Sequence, residues 1–405
     1  MLTPLRCLVV DQAAALDVIS PAYDALTPDQ RAEVAHRRPR SWLNVTASPV
    51  RPGQRGDDPA LIRGNRRTLE ELLAAGVFRE VGPALFLYRL STDDHSQTAI
   101  VGHLPLTAAG DGRLMGHERS QPDRVTGLAA NLAQVAVTSS PVAATWRHQP
   151  TSGSTSGSTS EAVTRARAGG HLLVDVTVPG DVRQQVWAVT DADDVAGLAA
   201  SVSPPPLFIV DGHHRTAAAQ HYRASHKARS AFDDELLVAA FSSSELQVAS
   251  FHRLVHLDSA AAAWWERRAG SDGVTSPPPL DHRTVAVVGP DGLWLRVELA
   301  DGDELDVTLL HRELIEGELG VAPGDPRLSY VPGSFGLDEL ARRARTDASL
   351  GFALAPSSLA TVLDMAEAGR PMPTKATFFY PKVRSGVFVR LHDPADRELL
   401  SEAGG

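Results

Sequence analysis

Short apolar runs alternate with amphipathic stretches along the whole chain, which is the pattern of a mixed α/β (α+β) protein. Residues 8–10 read as a short strand, followed by the loop Val18-Ile-Ser-Pro-Ala-Tyr-Asp24. Thr27 and Pro28 open a helix, with Thr27 as N-cap and Pro28 at the first helical position. The run 42–46 predicts a strand. A polar loop then leads to an amphipathic helix over about 59–75, closed by Gly76. Residues 84–90 and 97–107 have the spacing of paired strands. A helical apolar pattern runs through 116–138, and 142–146 returns as a strand.

Residues 151–160, Thr-Ser-Gly-Ser-Thr-Ser-Gly-Ser-Thr-Ser, cannot bury a core and read as a mobile surface loop. Strand character resumes at 172–178 and 185–189. Four apolar residues, Leu207 to Val210, then lead through a polar turn into an alanine-rich helical run. More sheet is expected at 235–242 and 246–257, and Pro277-Pro-Pro279 is a stiff break. Residues 284–288 and 293–298 form a hairpin about the turn Gly289-Pro-Asp-Gly292. Beyond it, helices at 308–318, 337–345 and 357–368 alternate with strands at 351–354 and 386–391. A chain of 405 residues is too long for one simple core. The segments expected are 1–150, 161–260 and 261–405, with 151–160 as the loop between the first two.

Composition narrows the class. A net charge of −10 argues against a general nucleic-acid binder. No apolar run approaches the roughly 18 residues of a membrane span, and the N-terminal apolar segment is too short for a signal peptide. The single cysteine, Cys7, excludes an internal disulfide and a cysteine-based zinc site. The cytoplasm is the expected location, and self-association stays open.

The densest chemistry lies at the elbow Asp211-Gly-His-His-Arg215. A helix N-terminus offers unpaired N–H groups and partial positive charge to an anion such as phosphate. Arg215 adds a planar cationic fork, and His213 and His214 can donate or shuttle protons. Asp211 can hold a metal or orient a histidine. The plainer alternative is a surface turn capped by Asp211. In Gly116-His117-Glu118-Arg119, Glu118 can act as general base or metal ligand, with His117 and Arg124 on an anionic group; a solvated loop is the other reading. In Ser20-Pro-Ala-Tyr-Asp24, Asp24 is available to a metal or a hydroxyl, or the segment is a structural turn. Lys375 and Lys382, interleaved with aromatics, could cover an anionic ligand or lie over an exposed strand. His36, His221, His226 and His311 read as solvated or satisfied in the core. No P-loop, GxGxxG fingerprint, zincin helix or GxSxG elbow is present.

In order and spacing, these segments resemble the bacterial and archaeal family catalogued as domain of unknown function 1015. The resemblance rests on Val18-Ile-Ser-Pro-Ala-Tyr-Asp24, Ser41-Trp-Leu-Asn-Val45, His117-Glu118 with Asp123-Arg124, Val186-Trp187, Asp211-Gly-His-His-Arg215, Leu305-Asp-Val-Thr308, and Met372-Pro-Thr-Lys375 with Tyr380-Pro-Lys382. Ala22 replaces the second proline of the first motif, and Ala376 replaces a hydroxyl residue after Lys375. That family is similar to the free-serine kinases, whose nucleotide-binding core resembles the ParB/sulfiredoxin fold. The resemblance implies such a core, elaborated by N- and C-terminal α/β segments. It also implies transfer of the terminal phosphoryl group of ATP or ADP, with Mg²⁺, to the hydroxyl of free serine or a similar small molecule. Under that reading Asp211, Gly212, His213, His214, Arg215, Arg124, Lys375 and Lys382 hold nucleotide, and Asp211 carries Mg²⁺. Glu118 is then the base, with Asp24 second, and His117 and His214 assist. Two other readings stand beside it: a ParB-like nucleotide-binding regulator and a metal-dependent hydrolase.

Overall fold

The longest strand of the chain organises the principal sheet. In the computed structural model, which describes residues 1–21, 26, 28–46, 54–147, 159–180, 182–202, 206–227 and 230–397, this sheet joins ten strands and a C-terminal one. They are β1 (Leu5–Val10), β2 (Phe78–Ser91), β3 (Ser96–Pro105), β4 (Leu114–Gly116), β5 (Val137–Thr138), β6 (Val142–Trp146), β7 (His171–Val178), β8 (Val182–Val189), β9 (Leu207–Asp211), β10 (Glu235–Ser242) and the strand Phe388–Leu391. The order is β4-β9-β6-β10-β3-β2-β1, then Phe388–Leu391, then β5; β8 joins β2, and β7 joins β8. The first half of β2 pairs with β1, and its second half pairs with both β3 and β8. Ala84, Leu85, Phe86, Leu87 and Tyr88 are consequently all buried. A strand enclosed in this way reads as a continuous apolar run rather than an alternating one.

Two pairs are parallel, β4 with β9 and β6 with β10. The first of these positions the candidate site. Its register sets Gly116 beside Ile209, so the residues after β4 and after β9 leave the sheet on the same side.

Helices α1 (Ala15–Val18), α2 (Pro28–Arg37), α3 (Pro59–Ala74), α4 (Pro122–Val135), α5 (Thr159–Gly169), α6 (Ala192–Ser201) and α7 (His213–Ser225) belong to the same unit. The Asp58 carboxylate accepts the Ala60 N–H at 2.8 Å and starts α3, whose Ile62, Leu69, Leu72 and Leu73 face the interior. Helices α4 and α7 pack through Ala129, Ala218 and Tyr222. Burying side chains of the size of Tyr222 contributes about 2 kcal/mol each.

The chain divides into two compact units. The first comprises 1–246, 366–369 and 381–405, so the DGHHR elbow and the N-terminal candidate residues share it. The second comprises 247–365 and 370–380. It contains an antiparallel five-stranded sheet in the order Trp294–Glu298, Thr284–Val288, Ser349–Leu354, Phe251–His256, Leu328–Pro332. A two-stranded ribbon pairs Gln247–Ala249 with Phe378–Tyr380.

Several local expectations change. The strand expected over 42–46 is a 3₁₀ turn, Trp42–Asn44. Ser41 Oγ accepts the Leu43 N–H there, and Trp42 is buried edge-on against Phe78. The helix expected at 308–318 begins as α-helix at Asp306–Leu309 and continues as π-helix over Leu310–Glu318. The strand expected over 246–257 is broken at Ser250, whose hydroxyl donates to the Leu354 carbonyl. Helices Ala192–Ser201 and Ser259–Asp272 and strand Leu328–Pro332 had no expectation. Thr27 and most of 151–160 lie outside the described residues. No helix among the described residues is long and apolar enough to cross a membrane.

Candidate functional site

Strand β9 ends at Asp211, and Gly212 turns the chain into α7 with φ of 108°. A Cβ at Gly212 would stand 2.9 Å from Arg215 Nη2 and 3.2 Å from Val142 Cα, so conformation and space both require glycine. Gly212 is the N-cap and offers no side chain to the first turn, which leaves the helix N-terminus open to an anion. One turn on, Arg215 Nη2 donates to Asp211 Oδ2 at 2.7 Å and to the Pro141 carbonyl at 3.0 Å. Lys382 Nζ donates to Asp211 Oδ1 at 2.9 Å. Burial pushes the Asp211 carboxyl up, but Lys382 and Arg215 outweigh it and hold the group well below the usual carboxylate range. Asp211 is therefore the anchor of two cations. The Mg²⁺-holding role expected of it would compete with both.

A cavity of about 440 Å³ opens beside this knot, within the size range of small-molecule sites. Asp211, Gly212, His214, Arg215 and Lys382 form one wall. Asp123 and Arg124, from the first turn of α4, form another. Arg55 and Asp57, joined by a 3.0 Å ion pair just before α3, also face it. Leu43, Leu128 and Val383 supply apolar lining. Gly127 on α4 permits this closeness, since a Cβ there would meet Gly56 Cα at 3.0 Å.

Behind the elbow lies a histidine pair set by the β4–β9 register. The His117 Nδ1–H donates to the Ile209 carbonyl at 2.9 Å. The His117 backbone N–H donates to His213 Nε2 at 3.1 Å. A neutral His213 must then carry its proton on Nδ1, which lies 4.0 Å from Glu118 Oε2. The two rings meet edge to face at 4.5 Å. Burial lowers His117 to about 4, and burial together with the neighbouring His117 lowers His213 to about 3. Both rings are neutral at neutral pH. Ligand atoms of His117, Glu118 and His213 lie within 4.8 Å of one another, close enough for one cation. With His213 Nε2 accepting a backbone N–H, however, a cation would have to displace that bond or the Nδ1 proton. The arrangement is a pair of hydrogen-bonded histidines with the Glu118 carboxylate 4.0 Å from His213 Nδ1.

Of the candidates named from sequence, Asp211, Gly212, His214, Arg215, Arg124 and Lys382 line the cavity. His117, Glu118 and His213 form the adjoining cluster. Asp24 lies outside the described residues. Lys375 belongs to the second unit, where its ammonium lies 4.4 Å from the Phe251 ring centre and its carbonyl accepts Arg253 Nη2 at 3.0 Å. Sequence reasoning missed Arg55, Asp57, Ser140 and Ser385, all in the cavity wall. The string Arg55-Gly-Asp-Asp58 ahead of a helix start was the available signal for the first two. The hydroxyls of Ser140 and Ser385 bond each other across 245 positions, which no local pattern reveals.

Fold and site together define an α/β protein with a cation-walled cavity at a helix N-terminus. The chain belongs to the family described as Protein of unknown function (DUF1015), whose profile matches residues 2–308. No curated protein matches it. Among solved structures, a mutant free serine kinase in complex with AMP is 12% identical, with a TM-score of 0.38, covering 73% of this chain and 95% of its own. SbnI with C-terminal truncation from Staphylococcus aureus is 11% identical, with a TM-score of 0.39, covering 75% and 97%. A conserved hypothetical protein from Pyrococcus furiosus is 11% identical, with a TM-score of 0.36, covering 72% and 95%.

Proposed function

We propose that this protein is a nucleotide-dependent kinase that transfers a terminal phosphoryl group from ATP or ADP to the hydroxyl of free serine or a similar small molecule. The supporting observation is the cavity wall itself: an open helix N-terminus, Arg215 and Lys382, cross-braced by one carboxylate. Two cations against one carboxylate leave one net positive charge at the end of a helix dipole, which suits a phosphate. Phosphoryl transfer asks a protein mainly for positioning and for stabilisation of charge on the transferring oxygens.

In this reading Arg215 and the first-turn N–H groups of α7 grip the phosphates, and His214 donates to the transferring group. Leu43, Leu128 and Val383 take the apolar part of the nucleotide. A bound Mg²⁺ would supply charge neutralisation to the phosphates, and Asp123 in the cavity wall would hold it, since both Asp211 oxygens already receive cations and Asp57 is paired with Arg55. Glu118, whose carboxylate lies 4.0 Å from His213 Nδ1, receives the acceptor hydroxyl proton.

The test is direct. Purified protein with Mg²⁺, ATP or ADP, and a panel of small hydroxylated amines is followed for O-phosphorylated product. Product with serine or a relative supports the reading. Nucleotide binding without turnover on any acceptor would replace the kinase with a nucleotide-binding regulator. Ester cleavage that needs metal but no nucleotide would replace it with a hydrolase.

A further inference from the structure

A second polar chain in the first unit is built from three segments far apart in sequence. Asp233 lies in the 3₁₀ turn Ala231–Asp234 just before β10. His392 follows the strand Phe388–Leu391, and Thr138 ends β5, which pairs with that strand. The His392 Nδ1–H donates to Asp233 Oδ1 at 2.6 Å, and His392 Nε2 lies 2.8 Å from Thr138 Oγ1. With its proton held on Nδ1 by the carboxylate, a neutral His392 presents the Nε2 lone pair to the Thr138 O–H. This is the acid–base–nucleophile order in which a hydroxyl is activated for attack. Asp233 and His392 are each 3% exposed, whereas Thr138 is only half-buried.

A network serving only to pin the C-terminal strand would need no space around its hydroxyl end. Here a cavity of about 110 Å³ is lined by Thr138, Asp233 and His392. It shares Thr46, Leu128, Ser140 and Arg215 with the 440 Å³ cavity. Arg215, the residue assigned to phosphate, thus stands in the wall of both.

We infer that Thr138 is a phosphoryl acceptor, modified by the protein's own nucleoside di- or triphosphate with His392 as base and Asp233 as the residue that positions it. Thr138 Oγ1 attacks the terminal phosphorus, forming an O–P bond as the bridging P–O bond breaks. The hydroxyl proton passes to His392 Nε2, and the nucleotide departs one phosphoryl group shorter. This rests on the kinase reading for its donor and goes beyond it by naming an acceptor within the chain.

The experiment incubates the full chain with Mg²⁺ and ATP or ADP labelled on the terminal phosphate, without added acceptor. Incorporated label is counted and located by peptide mass spectrometry. Label on Thr138 is expected, lost in Thr138→Val, kept within about threefold in Thr138→Ser, and slowed roughly 100-fold in His392→Gln. Label that is absent, sits on another residue or survives Thr138→Val overturns the inference. Serine phosphorylation is measured in the same preparation. Serine turned over with Thr138 unlabelled overturns the inference and leaves the kinase reading standing; neither product removes both.

Discussion

Lys382 Nζ and Asp211 Oδ1 lie 2.9 Å apart, although 171 positions separate the two residues. The contact ties the C-terminal part of the first unit to the elbow between β9 and α7. Arg215 occupies the second oxygen of the same carboxylate, so the orientation of both cations depends on Asp211. Neither cation is held by its own helix or strand alone.

Asp211→Asn leaves Lys382 and Arg215 facing each other without their shared anion. Breaking a fully buried pair costs about 3–5 kcal/mol. The Asp211 side chain is 25% exposed, so about 1–3 kcal/mol is expected here. Urea denaturation at neutral pH measures the loss. The pH dependence has a definite sign, because the folded carboxyl is held below its unfolded value. Its stabilisation is complete above roughly pH 4 and is lost as pH falls further. The gap between wild type and Asp211→Asn should therefore close in acid, and a gap constant down to the acid transition would contradict the assignment.

Arg215→Ala removes the guanidinium that faces the cavity while keeping the alanine-rich character of α7. Turnover is expected to fall on the order of 10²-fold or more, with a smaller loss in nucleotide affinity. Arg215→Lys should recover only part of this, because an ammonium cannot offer a phosphate the planar, several-donor fork of a guanidinium. Steady-state kinetics and nucleotide titration separate the two effects. Unchanged turnover in the alanine variant would remove Arg215 from the machinery.

Gly212→Ala tests the turn. The left-handed conformation and the 2.9 Å approach to Arg215 Nη2 both oppose a methyl group. A cost of about 1–3 kcal/mol is expected from the backbone alone, along with weaker nucleotide binding as Arg215 is pushed aside. A thermal melt and a nucleotide titration report the two consequences independently. Full binding in a destabilised variant would show that the turn matters for folding and not for the ligand.

The elbow was legible in the sequence because its signals are local. An apolar run, a glycine and an alanine-rich helix follow within sixteen residues, Leu207 to Tyr222, and strand β9 and helix α7 lie there. The paired strands β2 and β3 were legible for the same reason. Trp42–Asn44 misled because its apolar residues are buried as anchors of a turn, and apolar runs of that length carry no period of their own. The Asp233–His392–Thr138 chain gave no signal, since it is assembled by pairing Phe388–Leu391 with β5. Long-range register decides such contacts, and a single sequence does not display it.

His117 and His213 supply the last prediction. Each is buried and neutral in the folded protein, with values near 4 and 3, against about 6.5 for an unfolded histidine. Between those values the unfolded chain binds more protons than the folded one. Stability therefore rises with pH through this window and is complete above about pH 6.5. Lowering pH from about 7.5 to 5 should cost on the order of 2 kcal/mol per histidine. His117→Asn keeps a side-chain N–H for the Ile209 carbonyl but cannot titrate, so its stability should change less over the same interval. The rings touch, so the two contributions will not simply add. Denaturant midpoints at both pH values for wild type and His117→Asn decide the matter: an equal pH dependence would mean that His117 takes up its proton as readily in the folded state as in the unfolded one, and the neutral His117–His213 pair would have to be abandoned.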